Sequence, residues 1–120
     1  MSEVDPLLID ATTKIFEDLS DPQTLNSATT SDWRSALWSA LEESGLTLAW
    51  VPTDNGGSGA SLADGFSILE LAGKFAVPIP LGETLLAGWL LSKSNLDCPS
   101  GMMTVAPSRP RDKIKITEDN

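Results

Sequence analysis

The chain has 120 residues, of which 41% are hydrophobic and 21% are charged, a balance that predicts one folded domain rather than a disordered segment. Its formal net charge at pH 7 is −9, and because an acidic surface repels phosphodiester backbones, the composition argues against a nucleic-acid partner. The chain contains no histidine, which excludes Ser-His-Asp and Cys-His catalysis as well as imidazole metal sites.

Cysteine content and apolar runs bear on the cellular compartment. Cys98 is the single cysteine, so no internal disulfide can form, and a reducing compartment fits this usage. The N-terminal stretch MSEVDPLLID is acidic, unlike a secretory signal peptide or an Arg-rich transit peptide. The longest apolar run, LLAGWLL, is far shorter than the ~20 residues that cross a bilayer. We therefore expect a soluble, cytoplasmic protein without a membrane partner.

The first part of the chain predicts two helices. Asp5 can cap the first helix with Pro6 at its first position, where the missing N–H of proline costs nothing. Apolar residues then recur at helical spacing. The polar stretch 20–31 is predicted to be a loop, at the end of which Thr30 or Ser31 can cap a second helix.

The middle of the chain predicts a connector and two further helices. Gly45 is suited to end the second helix, and the short apolar run LTLAWV at 46–51 is either a strand or an extended connector, of which we favour the connector. Ser61 followed by Asp64 resembles a capping box at the start of a third helix. After a proline-rich break, Pro80 begins a fourth helix.

The character of the sequence changes after Asn95. Segments 103–106 and 113–117 are short and β-like, and because two isolated strands are marginal in water, the C-terminal end is expected to be incomplete. The fold prediction is an all-α, up-and-down domain of about four helices over residues 1–97. A short β-like tail at 98–120 is expected to begin a further β domain.

A glycine-rich stretch, VPTDNGGSGASLADG at 51–65, raises the possibility of a phosphate site. A dinucleotide fingerprint needs G-x-G-x-x-G/A, but counting from Gly57 puts Leu62 at the third position, and counting from Gly56 puts Ser58 at the second. A P-loop is excluded because the stretch contains no lysine. A tight turn, in which glycines take backbone angles that side chains forbid, explains the residues better.

The segment LAWVPTDNGGSGASLADGFSILELAGK resembles the N-terminal segment of acyl-CoA dehydrogenases, in which a helix runs into a Pro-x-x-x-Gly-Gly-x-Gly turn before an amphipathic helix. Pro52, Gly56, Gly57 and Gly59 keep that spacing, and ILELAGKFAVPIPLGETLLAGWLL follows the same course. The resemblance covers residues 30–92. It implies that these four residues form a structural turn that marks the family rather than performing its reaction.

The resemblance implies a FAD-dependent enzyme of three domains, usually tetrameric, that removes two hydrogens from the α and β carbons of an acyl-CoA. The glutamate base and most flavin contacts of the family belong to parts that this chain lacks. The chain is therefore expected to hold no catalytic, cofactor-binding or metal-binding residue and to be inactive alone. It would act with the remainder of the enzyme chain in a homo- or hetero-oligomer. The alternatives are a non-catalytic helical interaction or oligomerisation module, and a small subunit of a heteromeric dehydrogenase.

The fourth predicted helix carries the candidate substrate-binding residues. Pro80, Glu83, Thr84 and Ala87 fall at i, i+3, i+4 and i+7, so they share one face that is smaller and more polar than the rest of the helix. In the family this region helps to line the acyl-chain pocket, which implies contact with the acyl-CoA substrate. The alternative interpretation is a solvated face, which suits Glu83.

Overall fold

The structure is a computed structural model that describes residues 4–21, 23, 32–77 and 79–118. Within these residues no β-strand occurs, and the chain forms four α-helices that confirm the predicted all-α fold. The helices, in chain order, are α1 (Pro6–Leu19), α2 (Asp32–Glu43), α3 (Leu62–Lys74) and α4 (Leu81–Lys93). Two short 3₁₀ turns, Leu46–Leu48 and Thr53–Asn55, lie between α2 and α3.

The predicted start of α1 is confirmed in atomic detail. Asp5 has extended backbone angles, and its side chain accepts a hydrogen bond of 3.0 Å from the N–H of Leu7, while Pro6 occupies the first helical position. The candidate caps of α2, Thr30 and Ser31, lie outside the described residues, as does most of the predicted loop.

The predicted capping box of α3 is also confirmed. Ser61 Oγ accepts a hydrogen bond of 3.0 Å from the N–H of Asp64, and Asp64 Oδ2 accepts one of 3.3 Å from the N–H of Ser61. Asp64 also reaches α1, because its Oδ1 accepts a hydrogen bond of 2.8 Å from the N–H of Asp5. One carboxylate therefore fixes the start of α3 and joins it to the start of α1. Pro80 directly precedes α4, so the helix begins at Leu81, one residue later than predicted.

The connector after α2 is helical rather than extended. Gly45 takes a left-handed conformation with φ of 77°, which ends the helical course of α2 and leads into the turn Leu46–Leu48. The prediction of a connector rather than a strand is thus confirmed, but its predicted extended conformation is wrong, because residues Leu46–Leu48 form a 3₁₀ turn.

The core lies where α1 packs on α2 and α3, and where α4 packs on α3 and the connector. The largest completely enclosed apolar side chains come from all four helices at helical spacing, as expected for one buried face per helix. They are Phe16, Leu37, Leu41, Ile68, Leu81 and Leu85.

The glycine-rich stretch forms a compact turn that folds back onto the connector. A Cβ at Gly57 would lie 2.1 Å from the carbonyl oxygen of Val51, so only glycine fits there. Gly56 has φ of 81°, which side chains disfavour. The N–H of Gly57 donates to the carbonyl of Pro52 at 3.0 Å, and the N–H of Gly59 donates to the carbonyl of Val51 at 2.9 Å. This turn thereby connects α2 to α3 in a small space.

The C-terminal tail differs from its prediction. Segments 103–106 and 113–117, which the sequence pattern predicts to be β-like, do not form strands in the structure. The reason is that no neighbouring strand among the described residues offers them a hydrogen-bonding partner. Between them, a reverse turn is closed by a hydrogen bond of 2.9 Å from the N–H of Asp112 to the carbonyl of Arg109.

Candidate functional site

The four candidate substrate-binding residues lie together at the start of α4. Three of them, Glu83, Thr84 and Ala87, meet the chain's own segment 101–106, which runs along this side of the helix. Pro80 takes part through its carbonyl group, which accepts a hydrogen bond from Thr84. The structure therefore brings the four residues together and adds a neighbour that their spacing does not predict.

Thr84 uses its hydroxyl inside the protein. Its side chain is 1% exposed, and the hydroxyl donates a hydrogen bond of 2.7 Å to the carbonyl of Pro80 while accepting one of 3.1 Å from the N–H of Met103. The carbonyl of Met103 lies 3.3 Å from the same oxygen, but a hydroxyl has one proton and the shorter contact uses it. Thr84 therefore has no donor left for a ligand.

Glu83 is exposed, which agrees with the interpretation of a solvated face at this position. Its carboxylate nevertheless has a partner, since Oε2 accepts a short hydrogen bond from the hydroxyl of Thr104. Glu83 and Thr84 thus hold adjacent residues of the tail against α4.

Glu42, near the end of α2, is a third residue that binds the tail, and the sequence pattern does not identify it. Its Oε1 accepts a hydrogen bond of 2.8 Å from Trp38 Nε1 and another of 2.9 Å from the N–H of Gly101. The bond from Trp38 orients the carboxylate from one turn away on the same helix. The bond from Gly101 attaches the tail to α2.

A cavity of about 150 Å³ lies between the end of α2, the connector, α4 and the tail. Its walls are mostly apolar, with a few polar groups. The residues that line it are Glu42, Thr47, Leu48, Thr84, Pro99, Ser100, Gly101 and Met103.

A second, more open groove of about 370 Å³ lies farther along α4. Ala87 forms part of its floor, with Leu90 and Leu91 from the same helix and residues 103–106 from the tail. Because alanine is small, its position leaves room for an apolar group between the helix and the tail.

Cys98 is half-buried beside α4, with its Sγ 3.5 Å from the point where a Cβ on Gly88 would stand. Burial raises the pKa of this thiol above its ordinary value. Since the thiolate is the nucleophile, a raised pKa lowers its reactivity, which agrees with a structural role for Cys98.

The residues that the structure describes lack a metal site and a membrane-spanning helix. Within that part of the chain, no group of three or more His, Cys, Asp and Glu side chains lies close enough to hold a metal ion. Over the same residues, none of the helices is both long enough and apolar enough to span a bilayer.

The comparisons with known proteins point to one enzyme class. No protein-family model matches the chain, and no solved structure matches it significantly. The chain is 36% identical over 90 residues to a curated protein whose name identifies it as an acyl-CoA dehydrogenase. That protein is acyl-CoA dehydrogenase IpdE2 of Mycolicibacterium smegmatis. The match includes 72% of this chain but only 29% of the relative, so the chain spans less than a third of the protein it resembles. This similarity supports the acyl-CoA dehydrogenase family for the matched part.

The sequence pattern groups four residues on α4 but does not reveal the residues that contact them. The helical period places Pro80, Glu83, Thr84 and Ala87 on one face without any knowledge of tertiary contacts. The role of Glu42 depends on Gly101, which lies 59 residues away, so a local pattern cannot reveal it. The spacing of Trp38 and Glu42 by four residues was the one local signal, since it permits a hydrogen bond within a helix.

Proposed function

We propose that this chain is the N-terminal helical domain of a FAD-dependent acyl-CoA dehydrogenase, in which it helps to form the acyl pocket and a domain interface. The identity of 36% over 90 residues to an acyl-CoA dehydrogenase carries this proposal. The all-α fold and the turn formed by Pro52, Gly56, Gly57 and Gly59 support it, because both agree with what the resemblance to the family implies.

The proposed contact with the acyl group lies along α4. Ala87 and the apolar walls of the open groove offer room for an alkyl chain. Thr84 contributes shape rather than a hydrogen bond, because its proton is already donated to the carbonyl of Pro80. Glu83 is exposed and holds Thr104, so we propose that it positions the tail at the edge of the acyl pocket.

The cavity beneath the tail is too small for FAD. The cavity of about 150 Å³ has the size that takes a single benzene ring, whereas a flavin has three fused rings. The proposal therefore places the flavin and the catalytic glutamate on other residues of the enzyme, in the remainder of the chain or on a partner subunit. Within the proposal, the 120-residue chain shapes the site and has no part in proton or hydride transfer.

The test is a chimera in which this chain replaces the matched part of the M. smegmatis enzyme. We expect the purified chimera to retain flavin absorbance and to reduce an electron acceptor when acyl-CoA is added. The isolated chain should be colourless and inactive. A matched chimera carrying Gly57→Val should lose flavin, because a side chain at this position collides with the carbonyl of Val51.

Two results would contradict the proposal. Tightly bound FAD on the isolated chain would show that the flavin contacts lie within these residues. A wild-type chimera without flavin, built from a chain that is itself folded by circular dichroism, would favour a non-catalytic interaction module. Copurification of the chain with a flavin-bearing partner would instead identify it as a subunit of a heteromeric dehydrogenase.

A further inference from the structure

We propose that the cavity beneath residues 99–103 is a binding site for a compact apolar molecule of about benzene size that carries one hydrogen-bond donor. Its volume is about 150 Å³, and an apolar cavity of that volume in another protein takes up benzene. The proposal does not depend on the proposed dehydrogenase function, since it concerns residues of this chain alone.

Thr47 is the first polar group that marks the cavity as a site. Its side chain is 5% exposed and lines the cavity. Among the residues that the structure describes, its hydroxyl has no hydrogen-bond partner, and its oxygen is not fully enclosed. A ligand that pairs with this hydroxyl gains a hydrogen bond that the described part of the chain does not use.

Glu42 is the second polar residue that lines the cavity, and its side chain is also exposed to solvent. Its Oε1 accepts the two hydrogen bonds from Trp38 and Gly101, whereas Oε2 accepts none from the described part of the chain. A carboxylate is only an acceptor, so a ligand beside Oε2 must bring a donor. We expect a hydroxyl on an apolar ring to donate to Glu42 or to accept from Thr47.

Movement of the tail would give a ligand access to the cavity. Residues 99–103 cover the cavity, and two hydrogen bonds, from the N–H of Gly101 to Glu42 and from the N–H of Met103 to Thr84, hold this cover in place. Both bonds end on side chains rather than on a neighbouring strand, so the cover can lift without breaking a helix. Leu48 and Pro99 add apolar walls that complement a ring, and Ser100 adds one more polar residue.

The experiment is a titration of the ¹⁵N-labelled chain with phenol, followed by the amide chemical shifts. Fluorobenzene is the matched ligand, because it has a similar size and shape but no donor. We expect phenol to shift the amides of Thr47, Leu48, Gly101 and Met103 with a saturable dependence. Fluorobenzene should bind about tenfold more weakly, since it leaves Glu42 and Thr47 without a partner.

Two variants test the roles of the polar groups. Thr47→Val keeps the shape and removes the hydroxyl, so we expect a loss of about three- to tenfold in phenol affinity. Glu42→Gln replaces the second oxygen by an amide donor and should weaken phenol about tenfold, with little effect on fluorobenzene. Thr13→Val makes the same chemical change on α1, where the hydroxyl bonds to the carbonyl of Ile9, and should leave phenol affinity unchanged.

Several outcomes would overturn the proposal. Absence of saturable shifts at the cavity amides would show that the cavity holds only water. Equal affinity for phenol and fluorobenzene would remove the proposed donor requirement. Unchanged phenol affinity in Thr47→Val, in a variant whose spectrum and melting temperature match the wild type, would remove Thr47 from the site.

Discussion

The N–H of Met103 donates a hydrogen bond of 3.1 Å to Thr84 Oγ1, which joins an irregular tail to the buried face of a helix. The same oxygen donates its proton to the carbonyl of Pro80, so a single threonine satisfies two main-chain groups. This arrangement gives a residue expected to contact substrate a further role in positioning the tail.

Removing the Thr84 hydroxyl should release the tail from α4. We expect Thr84→Val to lower the free energy of unfolding by about 1 kcal/mol and to raise the amide hydrogen-exchange rate of Met103 about fivefold, because this N–H loses its acceptor. The exchange measurement is made by NMR on the isolated chain.

Thr13→Val is the matched control for Thr84→Val. The Thr13 hydroxyl also bonds back along its helix, at 2.8 Å to the carbonyl of Ile9, but it does not touch the tail. Thr13→Val should leave the amide hydrogen-exchange rate of Met103 unchanged. If both variants change that rate equally, the effect comes from the helix and not from the hydrogen bond between Thr84 and Met103.

Glu42 should control the other end of the tail. In Glu42→Ala the N–H of Gly101 and the indole N–H of Trp38 both lose their acceptor, so we expect faster exchange of both protons. The neighbouring change, Glu43→Ala, removes an exposed carboxylate of the same charge and should alter neither proton. If the N–H of Gly101 remains protected from hydrogen exchange in Glu42→Ala, other contacts hold the tail on α2.

The glycine turn should tolerate no side chain at its centre. Gly57→Ala is expected to lower the free energy of unfolding by about 3 kcal/mol, because the new Cβ would lie 2.1 Å from the carbonyl oxygen of Val51 and the backbone must shift. Urea denaturation measures the effect. Gly73→Ala is the control, since a Cβ there meets nothing within 4 Å, and an alanine near the end of α3 should stabilise by about 0.5–1 kcal/mol. Equal effects of the two changes would argue against the close contact at Gly57.

Asp64 should make stability depend on acid pH. The hydrogen bond from the N–H of Asp5 is the largest cause that lowers the pKa of Asp64, while burial opposes it and Ser61 adds to the lowering. Because the folded pKa lies below the unfolded value of about 3.9, the stabilisation is complete above that value and is lost as the pH falls through the folded pKa. We expect wild type to lose stability below about pH 4 more steeply than Asp64→Asn.

Denaturant midpoints measured across this pH range test the prediction for Asp64. Asp54→Asn, which removes an exposed carboxylate from the turn Thr53–Asn55, controls for the change in net charge. Parallel pH profiles for wild type and Asp64→Asn would show that the link between Asp5 and Asp64 does not contribute.

The helices follow from information that is local in the sequence. A cap such as Asp5, or the pair Ser61 and Asp64, acts within three residues, and the apolar spacing that selects the buried face repeats every turn. For the same reason the spacing of Pro80, Glu83, Thr84 and Ala87 places them on one side of α4 before any tertiary contact is known.

The tail shows where local reasoning fails. The alternation of apolar and charged residues at 113–117 is typical of a strand, yet a strand exists only when another strand supplies the hydrogen bonds. The described part of the chain supplies none, so the tail is irregular and uses the side chains of Glu42, Glu83 and Thr84 instead.

The amino-acid order was sufficient for the four helices, the side-chain caps of α1 and α3 and the glycine turn, because these depend on neighbours within one or two helical turns. The link from Asp5 to Asp64 and the link from Glu42 to Gly101 each join residues 59 positions apart. Such pairs meet only after the helices have packed, since packing sets the distance between groups that the chain alone leaves free. The cavity beneath the tail and the positioning role of Thr84 depend on such long-range contacts. These contacts determine that the Thr84 hydroxyl is hydrogen-bonded to the tail and that the Thr47 hydroxyl has no partner among the described residues.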